Sequence, residues 1–154
     1  MIPDRISREI VIEAPPERVW AVLTEPVHLA QWFSDEVEID ARPGGQVLFT
    51  WHGRGALGGR VEAVEPPHRF AFRWAPGGEG ELRENSSTLV EITLTPESGG
   101  RTRLRVDESG FQGLAGSDGD RAHRVDENSA GWDRELDELR EYVARHLVGD
   151  TLDG

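Results

Sequence analysis

The sequence predicts an α+β domain in which one long C-terminal helix lies across a curved antiparallel sheet. Three observations carry this expectation. Strand-like alternation fills the middle of the chain, two short helical segments interrupt it early, and one long amphipathic helix closes it. The 154 residues match the length of a single domain and suffice for one sizeable core. That domain is expected over residues 1–148, followed by a short acidic tail at 149–154. A long helix covering a curved sheet leaves a cavity between the layers, so the arrangement points to a container for a ligand.

Each element has a local reason. Residues 6–13 alternate roughly apolar and polar and read as a half-buried strand. Pro15 and Pro16 stop it, and proline is tolerated at the first helical position because its missing N–H has no partner there. Glu17 in the first turn complements the helix dipole, and Val19, Trp20, Val22 and Leu23 form the buried stripe. Thr24-Glu25-Pro26 restarts a second short helix through Leu29, Trp32 and Phe33. Strands then follow at Val37–Ile39, Val47–Trp51, about Leu57–Glu65, Phe70–Trp74, Thr88–Thr95 and Arg101–Glu108, separated by Gly- and Pro-rich turns. Gly58-Gly59 suggests a bulge or bend, and residues 75–81 read as a long polar loop. Successive hairpins of this kind build a meander with one dry and one wet face. The glycine-rich stretch 110–120 reads as a mobile gate. From about Arg121, Val125, Ser129, Trp132, Leu136, Leu139, Val143 and Leu147 recur at three- and four-residue steps.

Composition narrows the functions. Five Trp and five Phe supply large apolar area although hydrophobic residues make up only 36% of the chain. The absence of Cys excludes disulfides, thiolate metal sites and cysteine nucleophiles. With 29 acids against 17 bases the net charge is -12, which opposes nucleic acid and anionic membrane as partners. No apolar run reaches the roughly 20 residues of a membrane span, and the N-terminus lacks a signal-peptide core. A soluble, cytoplasmic protein is expected. His28, His52, His68, His123 and His146 are scattered without metal-ligand spacing. No Gly-x-Ser-x-Gly elbow surrounds a serine, and Gly77-Gly78-Glu79-Gly80 has no lysine to make a phosphate loop. No cofactor and no metal are implied, and nothing in the chain calls for an enzyme.

The string Ala14-Pro15-Pro16-Glu17-Arg18-Val19-Trp20, with Leu29 and Trp32-Phe33, resembles the opening of the Hsp90-ATPase-activator-homologue-1-like family. Gly44-Gly45, Thr102-Arg103-Leu104, Ser109-Gly110-Phe111 and Gly131-Trp132, with Leu136 and Leu139 behind it, continue the likeness in family order over about residues 5–147. The family lies in the START-like, or Bet v 1-like, superfamily. The resemblance implies a helix-grip fold, with the sheet wrapped around the C-terminal helix and the two short helices closing one end. It does not fix a function, because that superfamily includes lipid carriers, polyketide aromatase/cyclases and co-chaperone domains. The eukaryotic co-chaperone behind the family name joins such a domain to a separate Hsp90-binding domain, for which these 154 residues leave no room.

The residues themselves offer one candidate site. Phe49, Trp51, Phe70, Phe72, Trp74, Phe111 and Trp132 fall on faces that look toward the helix. They either fill the core or line a pocket for a flat apolar ligand, since such pockets are mostly apolar with a few placed polar groups. The ligand-binding set is Phe49, Trp51, Phe72, Trp74, Val106 and Trp132, with Glu108 and Asn128 as orienting polar groups. Ser129 and Thr88 are further polar candidates. Glu108 shares strand parity with Leu104 and Val106 and so points inward, or else meets water at the strand's end. An aldol-type cyclisation with Glu108 as base would also need a donor for the substrate's enolate oxygen, and Asn128 or Arg73 could serve only with a shifted helix phase or strand parity. The expected partner is therefore a hydrophobic, aromatic small molecule. A protein partner is the alternative, with Arg69, Arg73, Arg103 and Arg105 on the outer face available to an acidic surface.

Overall fold

In the computed structural model, which describes residues 2–76 and 86–147, seven strands form one antiparallel sheet. They are β1 (Arg5–Ile12), β2 (Glu36–Ile39), β3 (Gln46–Trp51), β4 (Gly55–Glu65), β5 (Arg69–Pro76), β6 (Thr88–Glu97) and β7 (Arg101–Ser109). Their order is β1-β7-β6-β5-β4-β3-β2, so β2 to β7 form a meander and β1 closes onto its last strand. Helices α1 (Pro16–Thr24) and α2 (Pro26–Trp32) carry the chain from one sheet edge to the other. Helix α3 (Asp118–Tyr142) packs on the concave face, and its last turn, Val143–Leu147, loosens to a π pattern. This is the α+β helix-grip architecture. The expected tail at 149–154, and residues 77–81 of the expected polar loop, lie outside the described residues. Among the described residues no helix is long and apolar enough to cross a membrane.

The core is one cluster between sheet and helices. Inward residues of alternate strand positions, including Val47, Phe49, Val61, Phe70, Phe72, Val90, Leu104 and Val106, meet Val125, Leu136 and Leu139 of α3. Val19, Val22, Leu23 and Leu29 close one end from α1 and α2. A buried hydrogen bond from Thr102 Oγ1 to the Ala14 carbonyl, 2.7 Å long, ties β7 to the β1–α1 connection.

Three local expectations are corrected. The bulge lies between Val61 and Ala63 rather than at Gly58-Gly59. Val61 and Val64 are three residues apart, which in a regular strand would put them on opposite faces. The extra residue restores parity, so both pack against the core. Gly59 serves a different need: a Cβ there would stand 1.7 Å from the Arg73 carbonyl oxygen, so only glycine allows β4 and β5 to approach this closely. The glycine-rich stretch is tied down rather than gate-like. Phe111 is fully buried, Gln112 N–H donates to Asp4 Oδ1 at 2.9 Å, and Arg121 Nη1 donates to the carbonyls of Leu114 and Gly116.

Helix α3 begins at Asp118, three residues earlier than its apolar period suggests. Ser117 and Asp120 form a capping box, with the Ser117 hydroxyl accepting from Asp120 N–H and the Asp120 carboxylate from Ser117 N–H. Replacing Ser117 by Ala is expected to cost about 1 kcal/mol of stability in urea unfolding. An unchanged midpoint would show that the helix start is fixed by packing alone.

Candidate functional site

Glu108 is the centre from which the site is built. It lies inward at the end of β7 opposite Val90, and its side chain is completely buried. Thr88 precedes Val90 by two positions on the same face, and Trp74 pairs across from Thr88 on β5. Register alone therefore brings these three side chains together. From α3, Asn128 and Trp132 are four residues apart and share one helix face. All four neighbours donate to the carboxylate. Trp74 Nε1, Thr88 Oγ1 and Asn128 Nδ2 reach Oε2 at 2.9, 2.5 and 2.9 Å, and Trp132 Nε1 reaches Oε1 at 2.9 Å. Asn128 thus sits beside Glu108 as the orienting pair expected from the sequence.

The carboxylate orients the rings. Trp74 and Trp132 point their N–H groups at one group, and their planes lie within 28° of each other with centroids 5.8 Å apart. Phe33 joins them at 6.1 Å from Trp74 and 6.0 Å from Trp132, inclined by 10° and 28°. Three near-parallel rings at the corners of a nearly equilateral triangle make a stepped aromatic floor. Trp51, whose Nε1 donates to the Phe33 carbonyl at 2.9 Å, extends it toward the β3–β4 turn.

Above this floor opens a cleft of about 390 Å³ between the β3–β4 hairpin and α3. That volume falls toward the lower end of the roughly 300–1,000 Å³ usual for small-molecule sites. Of the residues expected to bind, Trp51, Trp74, Asn128 and Trp132 line it. Phe49, Phe72, Val106 and Glu108 are buried beneath it and do not reach its surface. Ring packing explains the division: Phe49 and Phe72 contact each other and Trp74, filling the space below the floor. Ser129 is half-buried outside the lining, and Thr88 is buried against Glu108.

Sequence reasoning did not single out several lining residues. Phe33 stands in the sequence as the end of α2 and part of the family motif, with nothing to mark it as a lining residue. Gly131 and Glu135 lie on the helix stripe, one before and three after Trp132, and a carboxylate at a core-facing step was the available signal. Arg54 and Arg124 come from separate elements, and no spacing links them. Glu135 is 6% exposed and accepts from Arg134 Nε at 3.1 Å. Burial pushes its carboxyl above the ordinary range, against the opposing pull of Arg134. Among the described residues no cluster of three or more His, Cys, Asp or Glu side chains could hold a metal.

On the sheet's outer face the arginines are matched with acids. Arg69 bridges Glu65 and Glu91, Arg103 bridges Glu9 and Glu97, and Arg105 pairs with Asp107. Arg73 donates to Ser87 Oγ at 3.0 Å. These pairs leave little surplus positive charge there for an acidic protein surface.

A curved antiparallel sheet gripping a long C-terminal helix is the architecture of the START-like superfamily. The chain belongs to the family described as Activator of Hsp90 ATPase homolog 1-like protein, whose model matches residues 13–144. Among solved structures it is similar to DynU16 of the dynemicin biosynthetic locus, with 26% identity and a TM-score of 0.74 over 93% of this chain and 48% of that one. It is also similar to CalU16 from Micromonospora echinospora, at 25% identity and a TM-score of 0.67, covering 97% and 82% of the two chains. The Aha1 dimer from Colwellia psychrerythraea shares the fold at 21% identity and a TM-score of 0.70, covering 92% and 95%. No curated protein matches the sequence.

Two outcomes follow from this geometry. Glu108→Gln places an amide N–H₂ among four donors and leaves at least one without an acceptor, which is expected to cost about 2–4 kcal/mol in guanidinium unfolding. A midpoint equal to that of the parent chain would remove Glu108 from its central role. For Glu135 the sign is the reverse. A carboxyl raised on folding favours the folded state fully below its unfolded pKa and loses that contribution as pH rises through the folded one. Glu135→Gln should therefore be the more stable protein at pH 7, with the gain vanishing below roughly pH 4. Parallel stability curves for the two proteins from pH 3 to 7 would contradict the burial of this carboxyl.

Proposed function

We propose that this protein binds a hydrophobic, flat aromatic small molecule in the cleft between the β3–β4 hairpin and α3, holding or presenting it within the cytoplasm. The observation that carries the reading is the stepped floor of Phe33, Trp74 and Trp132 beneath an opening of small-molecule size. Near-parallel rings held by hydrogen bonds to a fixed carboxylate are preorganised, so a planar guest meets them without ordering side chains first. The Trp51 indole adds an apolar wall at the open end.

Binding rather than turnover fits the chemistry of the cleft. Glu108 is the residue from which a general base for cyclisation was sought, yet it sits under the floor. A carboxylate offers about four acceptor positions, and four protein donors already use it. A base must come within hydrogen-bond reach of the proton it takes, and the aromatic floor lies between Glu108 and any guest. The likeness to DynU16, from a biosynthetic locus, is compatible with a small-molecule guest and does not name one.

Three of the chain's five tryptophans line the cleft, so occupancy is expected to quench or shift their fluorescence. A titration with planar polyketides, flavonoids and apolar fatty acids as probes should give saturable binding for the planar aromatics. Gly131 supplies the control. A Cβ there meets only Arg134 Nη2 at 3.9 Å, so a side chain fits the helix and projects toward the cleft. Gly131→Leu should keep or raise helix stability while abolishing the fluorescence response. No saturable response across the set, or one unaffected by Gly131→Leu, would refute the assignment.

A further inference from the structure

The charges around the cleft indicate what kind of aromatic it takes. Five charged side chains line it, and three of them are engaged within the protein. Arg134 donates to Glu135 at 3.1 Å, and Glu127 pairs with His123 at 2.9 Å. Arg54 and Arg124 remain. Neither makes a hydrogen bond or ion pair among the described residues, in contrast to the matched arginines of the outer sheet face, and Arg54 acts on the Glu135 carboxyl only through space, as the weakest of the influences upon it. They come from opposite walls: Arg54 from the β3–β4 turn, and Arg124 from α3, one helical turn before Asn128.

We propose that the guest is an anionic aromatic, a planar ring system whose carboxylate or comparable oxyanion is held at the rim by Arg124 and Arg54. The inference rests on the cleft being the binding site, as argued above. Guanidinium groups suit this task, because the planar fork matches an oxyanion in two-point contact and also lies flat on aromatic faces. The chain's overall charge of -12 does not oppose it at close range. At physiological ionic strength the screening length is about 8 Å, so the distant acids are damped while a guanidinium in direct contact is not. The distribution of charge thus selects an acid within a globally acidic protein.

The test uses two probes with one skeleton, 1-anilinonaphthalene-8-sulfonate and the uncharged N-phenyl-1-naphthylamine, titrated against the full chain in 0.15 M salt. The sulfonate is expected to bind roughly fivefold more tightly than its neutral counterpart, the ratio that one partly solvated ion pair supplies. Arg124→Gln should erase that preference, and Arg124→Lys should retain part of it. Gly131→Leu should exclude both probes. Equal affinity of the two probes for the parent chain would overturn the inference and leave the aromatic cleft standing. So would a preference that survives Arg124→Gln, or sulfonate binding that survives Gly131→Leu. Failure of both probes to bind would overturn the cleft reading itself, and this inference with it.

Discussion

One buried carboxylate holds the two layers of this protein in register. Glu108 takes hydrogen bonds from β5, β6 and two positions of α3, so sheet and helix converge on a single group. Apolar packing specifies that α3 lies on the concave face but allows it to slide and rotate. Directed hydrogen bonds remove that freedom, because a helix displaced by one residue would leave a buried polar group in the core without its partners. The same bonds aim two indoles, and the stepped floor follows from them. Fold and site therefore share one polar anchor.

Around that anchor the molecule separates its tasks. The outer sheet face carries cross-strand pairs of Arg with Glu or Asp, each a small contribution on an exposed surface that together match the face's charges. The inner face is filled by Phe49, Phe70, Phe72 and aliphatic side chains. Toward the β3–β4 hairpin this filling gives way to the cleft, where Gly55, Ala56 and Gly131 bring small residues to the lining. The cleft exists because bulk is withheld there, while Phe49, Phe72 and Trp74 pack against one another beneath it.

Most of the architecture was legible in the sequence, since period-two and period-3.6 patterns report which face is buried. Successive hairpins account for the order of β2 to β7, whereas the return of β1 to β7 is a long-range pairing that no turn signals. The errors have physical causes. The bulge was assigned to Gly58-Gly59 because glycine signals irregularity, whereas the parity conflict between Val61 and Val64 was the better clue. The start of α3 was placed late because Asp118, Gly119 and Asp120 are polar, although Ser117 and Asp120 carry the capping spacing. Alternation also put Glu108 and the aromatic row on the inner face. It could not divide that row into floor and filling, because that depends on how far each strand runs past the helix. Arg54 and Arg124 lie 70 positions apart and become neighbours of one cleft only through the tertiary fold.

The location of the rim has a consequence for how such a protein changes over generations. Arg54 sits in a turn, and Arg124 and Gly131 sit on the cleft side of a helix whose hold on the sheet comes from Asn128, Trp132 and the apolar stripe. None of the three supports the core. Mutations at these positions can accumulate with little loss of foldability, whereas exchange of Glu108 strands its donors. Lineages built on this frame can diverge at the cleft while their backbones remain superimposable, and shared shape among them is a poor guide to a shared role.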